Sequence, residues 1–208
     1  MEIMRGLLLL LCLAAADSYD TNLFDLVTYG SAVKLQHMAT GQFLNSQGVN
    51  WGSGSGQQVI TTIAASNEAS SLWKIIEAHG GVGYKGGTPI KCGAVVRLVH
   101  SSTKKFLHSH NFPSPLSRQQ EVSGYQGHDS GDNWRVDCEG RHWQRTQHVR
   151  FVHADSSKHL GSHHHQFNQQ NCPNCPILGH GEVTGMAQAD ANTIWTTNLG
   201  VFMPRDEA

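Results

Sequence analysis

Apolar and polar residues alternate in Val33-Lys34-Leu35-Gln36-His37. A period of two is that of a strand with one face buried. The alternation returns at Val96 and at Val149, each time inside the same phrase. VKLQHMATGQFLNS fills 33–46, VRLVHSSTKKFLHS fills 96–109 and VRFVHADSSKHLGS fills 149–162. The three align without a gap, matching Leu35, Leu98 and Phe151, then His37, His100 and His153, then Leu44, Leu107 and Leu160, then Ser46, Ser109 and Ser162. A small polar stretch inside each phrase (MATGQ, SSTKK, ADSSK) separates two apolar runs, the profile of a hairpin. QQV at 57–59, QEV at 120–122 and GEV at 181–183 read as a third strand. Trp73, Trp134 and Trp195, spaced 61 residues apart, each centre a fourth.

Four strands written three times make twelve. One unit alone would leave its apolar face in water, whereas three can close a barrel and cap it, removing open edges. The predicted fold is all-β, a β-trefoil of twelve strands in three pseudo-symmetric repeats; a sandwich and a three-bladed array are the alternatives. The repeats are drawn at 24–78, 86–141 and 142–198, within one domain. GSGSG at 52–56 falls inside the first and reads as a loop between its second and third strands.

The start of the chain follows another pattern. Arg5, the apolar run Leu7–Leu13 and the small residues Ala14, Ala15 and Ala16 have the order of a secretory signal peptide, read as 1–16. The run is too short to span a bilayer, and no later stretch is apolar enough, so no membrane association is expected. Net charge is -1 and only 15% of residues are charged, which gives no basis for nucleic-acid capture. With the leader's Cys12 gone, Cys92, Cys138, Cys172 and Cys175 remain, and an oxidising compartment favours bridges between them. Cys92 opens the second unit and Cys138 closes it. A barrel unit brings its first and last strands together, so these two are expected to pair.

Several stretches resemble the MIR domain and, over the whole mature chain, the stromal cell-derived factor 2 family. They are YGSAVKL at 29–35, GSGSGQQ at 52–58, GTPIKCG at 87–93, RLVHSSTKKFLHSH at 97–110, SPLSRQQEVSGY at 114–125 and GMAQ at 185–188. The resemblance implies three MIR repeats in a luminal protein of the endoplasmic reticulum. It also implies association with an Hsp40-type co-chaperone and Hsp70, and a role in keeping unfolded clients from aggregating. The chain ends Arg205-Asp206-Glu207-Ala208, with alanine where the family's retrieval signal carries leucine, so secretion stays open.

His37, His100 and His153 could surround a zinc ion, but they share strand parity with core Val and Leu and precede a turn. They are read as structural, bonding turn backbone. The insertion SHHHQFNQQNCPNCP at 162–176 holds His163, His164, His165, Cys172 and Cys175, with His180 beyond it. It is read as a solvent loop with a local bridge; metal binding and thiol redox chemistry are its alternatives. Paired carboxylates for glycoside chemistry do not recur between units; Asp132, Asp137, Glu139, Asp155 and Glu182 are scattered, and there is no G-x-S-x-G and no phosphate loop. No catalytic residue, cofactor or enzyme activity is assigned. Trp51, Phe112 and Trp143 lie outside the repeated core positions, which Trp73, Trp134 and Trp195 fill. They are the candidate surface for clients or glycans, the lectin reading being the runner-up.

Overall fold

The computed structural model describes residues 21–206. The leader read at 1–16 and the terminal Glu207 and Ala208 lie outside them. The first unit carries β1 (Ala32–His37), β2 (Phe43–Asn50), β3 (Gln58–Ile63) and β4 (Trp73–Glu77). The second carries β5 (Val95–His100), β6 (Phe106–Pro113), β7 (Gln120–Tyr125) and β8 (Trp134–Cys138). The third carries β9 (Val149–His153), β10 (His159–Gln166), β11 (Gly181–Met186) and β12 (Trp195–Val201). Among the described residues the only helical pieces are short 3-10 turns, three of which (Ala69–Ser71, Ser130–Asp132, Ala191–Thr193) each precede the Trp strand.

The fold is the β-trefoil. Six strands form the barrel: β4 pairs with β5, β8 with β9, and β12 with β1. The hairpins β2–β3, β6–β7 and β10–β11 form the cap, where β3, β7 and β11 pair with one another in a triangle. Alternation in the phrase puts Val33 and Leu35, Val96 and Leu98, Val149 and Phe151 into one core, joined by Leu44, Leu107, Leu160 and the tryptophans Trp73, Trp134 and Trp195. Each of these indoles donates to the leucine carbonyl of its own unit: Trp73 to Leu44 at 3.1 Å, Trp134 to Leu107 and Trp195 to Leu160 at 2.9 Å. Buried indole N–H groups usually find such a partner.

The far end of the barrel is closed by a ring. The amide of Val27 donates to the Trp143 carbonyl, that of Trp143 to Ile90, and that of Ile90 to Val27, at 2.8–3.0 Å. Each of the three sits six residues before the valine that opens its phrase. Trp143 is therefore a repeated core position and not a surface aromatic; it is fully buried.

Ladder register also corrects the alignment of the third strands. Ser46 faces Ile60, Ser109 faces Val122 and Ser162 faces Val183. The equivalents of Glu121 and Glu182 are thus Val59 in the first unit, one residue later than QQV against QEV suggested. The hydroxyls of Ser46, Ser109 and Ser162 donate to the carbonyls of these three residues at 2.7–2.8 Å.

Cys92 and Cys138 are bonded, with Cα atoms 5.2 Å apart, and tie the turn before β5 to the end of β8. Cys172 and Cys175 are bonded to each other within the β10–β11 loop.

Candidate functional site

The histidines of the phrase join neighbouring units. His37 Nδ1 lies 2.9 Å from Thr40 Oγ1, His100 Nδ1 2.8 Å from Thr103 Oγ1, and His153 Nδ1 2.8 Å from Ser156 Oγ. The opposite nitrogens meet carbonyls of the preceding unit's 3-10 turn, cyclically: His37 to Asn192, His100 to Ser70 and His153 to Gly131, at 2.8–3.0 Å. A carbonyl only accepts, so Nε2 carries the proton and Nδ1 accepts from the hydroxyl. Each ring also lies against the preceding unit's tryptophan, with centroids 4.9–5.0 Å apart. Turn backbone is bonded as well: the far nitrogens meet the 3-10 turn carbonyls, and the Thr103 amide donates to His100 Nδ1 at 3.3 Å, so the hydroxyl contacts add to the backbone ones. The three imidazoles do not share an ion, because each faces a different joint.

Ser156 and His153 have the separation of a nucleophile and its base. The contact repeats at Thr40 and Thr103, and the far nitrogen meets a carbonyl where a triad would place a carboxylate. This is a clasp.

Burial is the leading cause that holds His37, His100 and His153 below the ordinary histidine range, partly offset by the carbonyl hydrogen bonds. Charges facing them are His164, His163 and Asp190 at His37, Lys104 at His100, and Asp155, His108 and His110 at His153. Burial lowers His180 as well. The unfolded chain, with histidines near pKa 6.5, takes up protons before the folded one. The stability these groups contribute is complete above about pH 6.5 and is lost as pH falls from there through the lowered folded values. The melting temperature should therefore decline steadily from pH 7 to pH 5. A flat profile in calorimetry would show that the clasps do not discriminate between protonation states.

The cap hairpins are joined by a second cyclic device. The Glu121 carboxylate accepts from the Ser55 hydroxyl in the GSGSG loop and lies 3.1 Å from His110 Nε2. The Glu182 carboxylate accepts from the amides of Leu116 (2.7 Å) and Ser117 (3.0 Å) and lies 2.8 Å from His163 Nε2. Burial pushes the Glu182 carboxyl upward, but the bonds from His163, Leu116 and Ser117 outweigh it and hold the group below its usual range. The third junction is apolar. Val59 packs with Trp51, Phe167 and Ile177. That is why valine stands where the other units have glutamate, and why Trp51, at 8% exposure, is packing and not open surface.

Of the three aromatics singled out in the sequence, Phe112 alone is exposed, at 44%. It borders a groove of about 680 Å³ with Arg118, Gln119, His165, Gln188 and Asp190. A second groove, of about 720 Å³, is bordered by His108, His110, Tyr125, Asp129 and Asp155. The two share Asn111, Gln120 and Lys158, so they form one cleft along the border of units two and three. Sequence reasoning did not find this cleft, because its walls come from several segments far apart in the chain. It also missed an apolar surface at the barrel end. Tyr84, Leu199, Val201 and Met203 are exposed there. Tyr84 stacks on Tyr29, Val201 pairs with Ala32 and the Met203 amide donates to Ser31.

The metal candidates of the insertion do not converge. Cys172 and Cys175 are bonded to each other, His163 is held by Glu182, and His164 is exposed. Among the described residues the group with ligand atoms within 4.8 Å of one another is His108, Asp129 and Asp132. These side chains already have partners. Asp132 lies 2.9 Å from His108 Nδ1, and Asp129 and Asp132 cap the Ser130–Asp132 turn.

A MIR domain family model matches residues 56–138. The chain is 40% identical over 204 residues to stromal cell-derived factor 2-like protein 1 of Homo sapiens, an alignment covering 97% of this chain and 89% of that protein. It is 42% identical over 209 residues to the stromal cell-derived factor 2-like protein of Dictyostelium discoideum, covering 94% and 96%. The crystal structure of the SDF2-like protein from Arabidopsis thaliana matches with a TM-score of 0.81 at 37% identity, covering 88% of this chain and 99% of that one. In the S. cerevisiae protein O-mannosyltransferase Pmt1-Pmt2 complex, 28% of a chain matches with a TM-score of 0.72 at 24% identity, a likeness of fold.

Proposed function

Since the chain belongs to the stromal cell-derived factor 2-like family of MIR-domain proteins, we propose that it is a non-catalytic binding module of the endoplasmic reticulum lumen. In this reading it assists an Hsp40-type co-chaperone and Hsp70 in folding and quality control. The observation that carries the reading is how the polar clusters are used. The histidines, Glu121 and Glu182 are committed to joints between units. What stays open to a partner is the cleft beside Phe112 and the apolar barrel end. A trefoil whose large side chains are spent on its core has modest apolar surface for clients, and a composite surface with the co-chaperone supplies the rest.

Light scattering of a denaturing client tests this. The protein alone should suppress aggregation weakly, and together with its Hsp40-type partner strongly. Phe112→Ala should weaken the combined effect without changing the melting temperature. Strong suppression by the protein alone, or no gain from the partner, would overturn the reading.

The lining of the cleft favours a second reading, recognition of glycans. Asn111, Gln119, Gln120 and Gln188 present planar amides beside one exposed aromatic, which suits a hydroxyl-rich ligand. Glycan-array binding competed by free mannose supports it; client binding indifferent to sugar counts against it.

A further inference from the structure

The Cys172–Cys175 bond joins residues only three apart, so it ties no distant parts of the fold together. In the chain-entropy account, so short a ring contributes least to stability. The loop is held by other means. Phe167 and Ile177 anchor it in the apolar junction with Trp51 and Val59. Phe167 N donates to His180 O at 2.9 Å, Gly179 N to Phe167 O at 2.8 Å, Cys172 N to Asn168 O at 2.8 Å, and the Asn171 side chain to Gln166 O at 3.0 Å. None of these bonds uses a sulfur, and all can persist when the disulfide opens. The two thiols would then stay side by side on an intact scaffold.

The bond is also open to solvent. Both cysteines are partly exposed, and Asn171, Pro173, Asn174 and Pro176 around them are open to solvent. From Gln166 to Leu178 the loop has no charged residue, so nothing on it repels an approaching thiolate. Leu178, 39% exposed, offers an apolar contact beside the bond.

We infer that Cys172–Cys175 is an exchangeable disulfide that passes its oxidising equivalent to paired thiols of an unfolded polypeptide. One client thiolate attacks a sulfur of the pair, forming a mixed disulfide and releasing the other sulfur as thiolate. A second client thiolate attacks the client's own sulfur in that mixed disulfide. The client leaves with a new S–S bond and two protons fewer. Cys172 and Cys175 are left as thiols carrying those protons, and two electrons have moved from client to protein. The nucleophile belongs to the client, so the loop needs no helix end to activate a thiol of its own. The step needs contact only at this loop and stands whether or not the cleft binds clients.

The test mixes the oxidised protein with an excess of an unfolded peptide carrying two reduced cysteines, followed by acid quench, mass-tagging of free thiols and peptide mapping. The peptide should gain a disulfide, and tags should appear on Cys172 and Cys175 while Cys92 and Cys138 stay untagged. The double variant Cys172→Ser/Cys175→Ser should keep its melting temperature and transfer nothing above buffer. Three results would each overturn the inference: no tags at 172 and 175, transfer by the double variant equal to that of the native chain, or loss of native circular dichroism when the bond opens.

Discussion

Trp143→Ala should destabilise the protein by about 3–5 kcal/mol, as should Trp73→Ala, Trp134→Ala and Trp195→Ala, the cost of emptying a fully buried indole site. All four side chains are wholly buried in one core. For a domain of this size each kcal/mol lowers the melting temperature by about 2–4 °C. Trp51→Ala should cost clearly less, because Trp51 belongs to the small cluster under the β10–β11 loop and keeps 8% of its surface exposed. Urea unfolding followed by circular dichroism separates the two classes. If Trp143→Ala grouped with Trp51→Ala, the barrel-closing ring of Val27, Ile90 and Trp143 would not be part of the cooperative core.

Removing the bond between Cys92 and Cys138 is the second large perturbation. It spans 46 residues, nearly the whole second unit. In the chain-entropy account a loop of that length corresponds to about 4 kcal/mol at 25 °C, as an upper figure. The folded geometry should survive the loss, because Gly93 N already donates to Val136 O at 2.7 Å and Cys92 N to Arg141 O at 3.1 Å. Cys92→Ala/Cys138→Ala should therefore keep its circular dichroism spectrum and melt well below the native chain. A shift of no more than a few degrees would mean that the unfolded second unit is already compact without the bond.

The fold was legible because its repeated positions repeat in kind. Tryptophan recurs as tryptophan, histidine as histidine, and the anchor serine as serine. The barrel-closing ring was not legible because its members are Val27, Ile90 and Trp143, which share only an apolar character and a distance from the phrase. The cap junctions were hidden similarly: Val59 stands where Glu121 and Glu182 stand, and the β2–β3 loop displaces the register by one residue. Phe112 was found as an exposed aromatic because it follows the repeated part of its hairpin. The cleft beside it is assembled by the approach of two units, and no single stretch carries its signature.

The clasps close the molecule on itself late in synthesis. His37, in the first strand, finds its acceptor at Asn192 O, 155 positions onward in the last 3-10 turn, and Trp195, beside that ring, opens the last strand. The core that buries Val33, Leu35, Leu44 and Trp73 draws on all three units, so it is complete only when nearly the whole polypeptide has emerged. Folding that depends on such distant pairing is slow, and a slow nascent chain with exposed apolar strands is prone to associate with others. A protein proposed to shield unfinished chains therefore spends its own early life as one, and its production should draw on the same chaperones it is proposed to serve.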